Sequence, residues 1–261
     1  YTTVPAADAQ ADENDRCRMT VESVLFDEHA GVGLVSLHLV NKAEDGVMPF
    51  ELLEYSPEYQ NQPALSWSRL SQCYAGKDGQ LDFNILYGES DFCGSRFFLD
   101  ESRSTENSYY IEGVFIPSGD YTPDTSLRLA AQVMGQSQTQ ADGMDIAKIA
   151  LQVTLPDPQP LPSLQSADGA VTLSPIGLRV TAPLDGQVLI DRIERIVIKL
   201  QNGDELVIQD GEGQTDLTLY SLGFGKDAGY QTESAVYALA RTFDLAQVQA
   251  VVLGGTEYPL S

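Results

Sequence analysis

The sequence predicts an all-β protein built of two antiparallel β-sandwich modules in tandem. Three observations carry this. Runs that alternate apolar and polar residues recur from Met19 to Leu260, separated by turns rich in Gly, Asn, Asp and Pro. No stretch sustains an apolar stripe at helical spacing, which argues against the crossover helices of a βαβ fold. Finally, Leu155-Pro156-Asp157-Pro158-Gln159-Pro160-Leu161-Pro162 places prolines at four alternate positions. They remove four backbone donors and hold the chain near polyproline II, as in a short semi-rigid bridge. The expected organisation is a disordered leader over 1–17 and a first sandwich over 18–156 with a long irregular insertion at 47–108. A proline-rich bridge over 157–165 and a compact second sandwich over 166–261 follow.

Composition restricts the partners. The 261 residues carry 15 Lys and Arg against 38 Asp and Glu, a formal charge of −23, and hydrophobic residues make up 43%, enough for a folded core. Both modules are acidic, the first more so. Such a surface repels a phosphate backbone and an anionic bilayer, so no nucleic acid partner is expected. No apolar run reaches the length of a membrane span. The start at Tyr1-Thr2-Thr3-Val4-Pro5 reads as the interior of something longer, from which a signal or anchor is missing.

The elements follow in order. Met19–Phe26 and Val32–Val40 form a first hairpin around Asp27–Gly31, with Val35, Leu37 and Leu39 on one face and Ser36 and His38 on the other. Residues 47–108 are irregular, with strands favoured at Leu81–Leu86 and Arg96–Leu99 and a surface loop at Asp100–Ser108. Tyr109–Ile116, Leu127–Val133 and Lys148–Leu155 alternate again; both faces of the first are apolar enough to be covered. In the second module Val171–Val180 reads as one strand broken by Ser174-Pro175. Ile193–Leu200 and Glu205–Ile208 flank Asn202-Gly203, a tight hairpin signal. Asp216–Leu222 and Val236–Arg241 are further strands. A single turn at Asp244–Gln247 precedes Val248–Leu253, which Gly254-Gly255 returns onto Thr256–Leu260.

Candidate chemistry is sparse. His29 and His38 are the histidines of the chain. His29 lies in a turn beside Asp27 and Glu28 and is expected to be solvated; His38 and Ser36 share an outward face, with no nucleophile elbow near them. Paired carboxylates can hydrolyse glycosides without histidine, but no acidic pair stands at a distinctive position. Asp78-Gly79-Gln80-Leu81-Asp82 is only a fragment of a calcium loop. Neither a catalytic residue, a cofactor nor a metal is expected. Cys17, Cys73 and Cys93 are too few for a disulfide scaffold; Cys73 and Cys93 flank the turn Gly76-Lys77-Asp78-Gly79 and are the candidate bridge, leaving Cys17 free. Tyr55, Tyr59, Trp67 and Tyr74 concentrate in the irregular insertion. Aromatics on loops held by a sandwich are candidate anchors for a partner, and the acidic surroundings favour a basic protein or peptide. Filling a satellite core is the other reading of the same residues.

Two stretches carry a family resemblance. Met19–Asp27, with Val21, Val24 and Asp27 in a V-x-x-V-x-x-D phrase before an alternating strand, resembles the opening of the extracytoplasmic region of membrane-anchored anti-sigma-factor-like proteins of Gram-positive bacteria. Leu173–Leu178, Ile196–Leu200, Phe243–Val248 and Gly255–Leu260 are similar to the C-terminal immunoglobulin-like part of the same proteins. The resemblance implies an ectodomain on the extracytoplasmic face, attached to a membrane only through a segment missing here. It implies a sensing or protein-interaction role without catalysis. It transfers no residue of a sigma-factor interface. A cell-surface module binding glycan or protein is the alternative, and a secreted hydrolase the third.

Overall fold

The computed structural model describes residues 11–13, 17–42, 68–70, 73–75, 79–87, 91–100, 102–117, 127–136, 146–154, 161–183, 189–211, 213–225 and 232–261. These residues form an all-β fold with several antiparallel sheets. Among them helix amounts to α1 (Leu189–Arg192) and a 3-10 turn at Leu245–Gln247. None is long and apolar enough to cross a membrane. The chain divides into two compact units, one of residues 1–25, 34–115 and 124–157, the other of 26–33, 116–123 and 158–261.

The first unit is organised on β1 (Ala11–Glu13), β2 (Cys17–Asp27), β3 (Val32–Asn41), β4 (Ser68–Leu70) and β5 (Cys73–Ala75). It continues with β6 (Gly79–Tyr87), β7 (Asp91–Leu99), β8 (Ser108–Pro117), β9 (Leu127–Gln136) and β10 (Ile146–Thr154). The sheet runs β1-β2-β3-β8-β7-β6-β9-β10, with β4 on β7 and β5 on β6. Alternation in β2 and β3 decides which face is buried: Met19, Val21, Val35, Leu37 and Leu39 are each about 1% exposed. Ser36 and His38, between them, are half-buried on the opposite face. β8 changes character along its length. Val114, Phe115 and Ile116 are all buried, so both faces are covered there, whereas Tyr110 and Glu112 remain half-buried.

Two sequence expectations are corrected in this unit. Ala11–Glu13, assigned to the leader, pairs antiparallel with Arg18–Thr20. A polar strand without apolar alternation gives no period-2 signal; the backbone ladder to β2 pairs it, with an ion pair from Glu13 to Lys42 at 3.1 Å beside it. The strands of the insertion are also longer than expected. Gly79–Tyr87 is continuous where Leu81–Leu86 was expected, and it pairs residue by residue with β9, Asp82 opposite Gln132.

The second unit holds two five-stranded sheets. One runs β11 (Leu164–Gln165), β12 (Val171–Leu173), β13 (Gly177–Pro183), β18 (Thr232–Leu239), β17 (Thr218–Gly225). The other runs β16 (Gly213–Gln214), β15 (Glu205–Asp210), β14 (Arg195–Leu200), β19 (Val248–Leu253), β20 (Thr256–Pro259). Val171, Leu173, Leu178, Val180 and Tyr237 of the first share one core with Ile196, Ile198, Ile208, Val248 and Val251 of the second. Apolar burial on this scale is the main stabilising term.

Val171–Val180 is a hairpin, where the sequence was read as one interrupted strand. Val171 stands opposite Val180 and Leu173 opposite Leu178. The reason lies in Ser174: its Oγ accepts from the backbone N–H of Ile176 (3.3 Å) and Gly177 (2.9 Å), which closes a turn around Pro175. The Asn202-Gly203 hairpin forms as expected. Asn202 Oδ1 accepts from the Asp204 N–H at 3.0 Å, and Gly203 has φ +90°. Asp244 caps the 3-10 turn by accepting from the Ala246 N–H.

The Phe26–Gly33 segment is built into the second unit. Asp27 is fully buried; its carboxylate accepts from His29 N–H (2.9 Å) and Ala30 N–H (3.1 Å) and from the Ser174 hydroxyl. The Asp27 carbonyl accepts from Gly31 N–H, and Gly31 has φ +72°. His29 itself is exposed beside Glu28, as the turn reading expects.

Candidate functional site

Among the described residues, the polar constellation with the most shared partners lies in the first unit, on the half-buried face of β2, β3 and β8. The loop from Asp100 to Asn107 supplies its remaining members. Alternation places Glu22 on β2, Ser36 and His38 on β3, and Tyr110 and Glu112 on β8 opposite the buried positions. The loop is tied by Asp100. Its Oδ1 accepts from the Ser102 N–H (3.1 Å) and hydroxyl (2.6 Å), and its carbonyl accepts from Ser104 N–H and Oγ–H. Ser104 Oγ in turn accepts from the Tyr110 N–H at 3.0 Å, which fastens the loop to β8.

Arg103 is the centre of the charge network. Its Nε donates to Asp100 Oδ2 at 2.6 Å, its Nη2 to Glu112 Oε1 at 2.5 Å, and its Nη1 faces Glu22 Oε2 at 3.5 Å. Its guanidinium carbon stands 4.5 Å from the centroid of the Tyr110 ring, within cation–π range. The other oxygen of Glu112 accepts from the Ser36 hydroxyl. His38 stacks on Tyr110, ring centroids 4.1 Å apart and planes 8° from parallel. Its Nε2 lies 2.6 Å from Ser108 Oγ, and its Nδ1 lies 3.9 Å from Glu22 Oε1.

Electrostatics follow from these contacts. Hydrogen bonds from Ser102 and then Arg103 hold the Asp100 carboxyl below the ordinary range. Burial pushes Glu112 upward, outweighing the opposing pull of Ser36 and Arg103. Burial works against charge on Arg103 as well, but Asp100 and Glu112 outweigh it and raise its pKa. One guanidinium thus faces three carboxylates, and the site is acidic with its cation in place.

As chemistry, the arrangement holds one Ser–His contact and a charge network. Ser108 and His38 touch, yet a working nucleophile needs its base oriented by a hydrogen-bonded third group. At 3.9 Å Glu22 is beyond hydrogen-bond reach of Nδ1. Among the described residues no group of three or more His, Cys, Asp or Glu is placed to hold a metal ion.

The expected site residues are distributed as follows. His38 and Ser36 share a face, as read from the alternation, but they are not partners: Ser36 serves Glu112, and His38 meets Ser108. Tyr55, Tyr59 and Trp67 lie outside the described residues. Tyr74 is the middle residue of β5, opposite Gln80; Cys73 stands opposite Leu81, and Cys93 falls in β7, with both sulfurs outside the described side chains. Sequence reasoning missed Glu22, Arg103, Ser108, Tyr110 and Glu112. The alternation of Tyr110 and Glu112 against Ile111 and Gly113 was the available signal. What turned it into a site was the β3–β8 neighbourhood, a pairing of strands about seventy residues apart.

Compared with known proteins, the chain matches no family model, no curated protein and no solved structure.

Proposed function

We propose that this chain is the extracytoplasmic interaction region of a single-span membrane regulator, built on two immunoglobulin-like sandwiches and acting without catalysis. In this reading the β2–β3–β8 face is its contact surface, and the partner is a basic protein or peptide. The observation that carries the proposal is the fixed constellation on that face. Tyr110 and His38 are stacked on each other and Glu112 is held by the Ser36 hydroxyl, so little side-chain entropy remains to be lost there on binding. The acidity of the site and the chain's −23 charge favour a cationic partner and repel polyanions. The sequence resemblance of Met19–Asp27 and of the C-terminal strands supports the compartment.

The test is site-directed photocrosslinking on the producing cell, with the photoreactive residue at Ser102 beside the site or at Glu205 in the second unit. The expected result is one basic partner captured from position 102 and lost in the Glu22→Gln/Glu112→Gln variant. Capture from position 205 alone, or capture of an acidic partner insensitive to the two substitutions, overturns the assignment. The sequence of the complete gene tests the compartment: a single apolar span before Tyr1 is expected, and an uninterrupted cytoplasmic enzyme would refute it.

A further inference from the structure

We propose that the seat formed by Glu22, Glu112 and Tyr110 is a guanidinium-binding site, and that Arg103 occupies it as an internal stand-in for an arginine of the partner. The inference rests on the reading of this face as a contact surface and names the group it recognises.

The argument begins with which element carries which part. Glu22 belongs to β2, and Tyr110 and Glu112 to β8, so three walls of the seat stand on sheet strands. Their backs are held by the buried positions Val21 and Ile111. Ser36 on β3 fixes the second oxygen of Glu112 and leaves Oε1 directed to the cation. The cation comes from elsewhere. Arg103 sits in the loop between β7 and β8, its side chain 43% exposed, and reaches the sheet only through its head group. Of its contacts, only Asp100 belongs to the loop itself.

The seat suits a planar fork better than a point charge. Nη2 and Nη1 address two carboxylates on different strands while the guanidinium carbon stands over an aromatic ring. An ammonium has no plane to lay on Tyr110 and no fixed spread of donors. Exchange is also electrostatically mild. With Arg103 withdrawn the seat retains Glu22 and Glu112, and an incoming guanidinium restores the same balance of charge. The Arg103–Glu22 pair is exposed and individually weak, whereas the pair with Glu112, 17% exposed, is the one an incoming guanidinium has to replace as Arg103 leaves. The loop anchors at Asp100 and Ser104 do not require the Arg103 head group to stay on the sheet.

Chemical rescue tests this in the full chain. Arg103→Ala is expected to melt at lower temperature than the parent protein. Ethylguanidinium chloride in the millimolar range should restore more than half of that loss, saturably, while ethylammonium chloride at equal ionic strength restores little. Adding Glu112→Gln should abolish the rescue. Equal effects of the two salts on Arg103→Ala, or the same ethylguanidinium stabilisation of the parent protein, overturn the proposal. If Arg103→Ala does not fold, the parent protein decides by titration with an arginine-containing peptide. Release of the Arg103 Nη–H resonances from their bound shifts supports the inference, and unmoved resonances at peptide saturation refute it. A failed rescue with crosslinking from position 102 intact sinks only the guanidinium seat; the reverse pattern sinks only the protein-partner reading.

Discussion

The backbone of Gly177 lies hard against Val32: a Cβ added at Gly177 would stand 2.7 Å from Val32 Cγ2 and 2.9 Å from Ala30 Cβ. Both neighbours are completely buried. Gly177 is therefore required for close approach, and the start of β13 and the Asp27–Val32 turn are fitted to each other within the second unit. Gly177→Ala is expected to destabilise by about 1–3 kcal/mol, the usual cost of overpacking. Combining it with Val32→Ala should cost less than the sum of the two single changes, because the second removes the obstructing methyls. Urea denaturation of the four proteins in this cycle checks it, and strict additivity would disprove the contact.

Asp27 and Asp100 give opposite contributions to the dependence of stability on pH. Burial holds Asp27 above the ordinary aspartate range, despite the hydrogen bonds from Ser174, His29 and Ala30. The folded protein therefore keeps a proton that the unfolded chain releases. The stability this contributes is complete below about pH 4 and is lost as pH rises through the raised folded value. Asp100 is held low by Ser102 and Arg103. Its contribution is complete above about pH 4 and is lost as pH falls through the depressed value. Asp27→Asn should thus flatten the stability profile above about pH 4, and Asp100→Asn the profile below it. Urea midpoints across a pH series measure both. A profile unchanged by Asp27→Asn would show that the carboxyl is not buried in solution.

The sequence was most legible where local chemistry decides structure. The alternation of Val35, Leu37 and Leu39 against Ser36 and His38 named the buried face of β3. Asn202-Gly203 named a hairpin, and Asp244–Gln247 a single turn. It was less legible where a short-range signal had two solutions. Ser174-Pro175 breaks a strand equally well by interrupting it or by folding it back, and only the Ser174 Oγ bonds to Ile176 and Gly177 select the hairpin. The candidate site was not legible at all as a unit. His38, Tyr110, Arg103 and Glu22 come from four separate segments, joined by a strand order of β2-β3-β8 that no local rule specifies. The aromatic residues singled out instead, Tyr55, Tyr59, Trp67 and Tyr74, drew attention because they cluster in sequence.

Glu233 on β18 is a buried charge whose partners identify the role of α1. It is 4% exposed; Oε2 accepts from the Leu189 N–H at 2.8 Å, and Oε1 is paired with Arg192. The carboxylate thus satisfies an N-terminal donor of α1 and the side chain at its other end. Arg192→Ala leaves the charge buried without its cation and is expected to cost about 3–5 kcal/mol. Glu233→Gln should cost less, because its amide oxygen can still accept from Leu189 and the buried charge is gone. Thermal and urea unfolding compare the two. A larger loss for Glu233→Gln than for Arg192→Ala would contradict this assignment.

Ser108 provides the direct check on the absence of catalysis in the proposed role. Its Oγ lies 2.6 Å from His38 Nε2, a spacing at which an imidazole could take the hydroxyl proton. Activation also requires that the imidazole be held and its developing charge balanced by a hydrogen-bonded acid. Glu22 stands 3.9 Å from Nδ1, and its other oxygen faces the Arg103 guanidinium, which opposes any movement toward His38. The same imidazole is stacked on Tyr110, which fixes its plane in the sheet face. Ser108 is therefore expected to behave as an ordinary alcohol. Incubation with an excess of a fluorophosphonate probe should leave the intact mass unchanged, in the parent protein as in Ser108→Ala. A stoichiometric adduct that disappears in both Ser108→Ala and His38→Ala would instead identify a nucleophilic serine and move the hydrolase reading ahead of the interaction region.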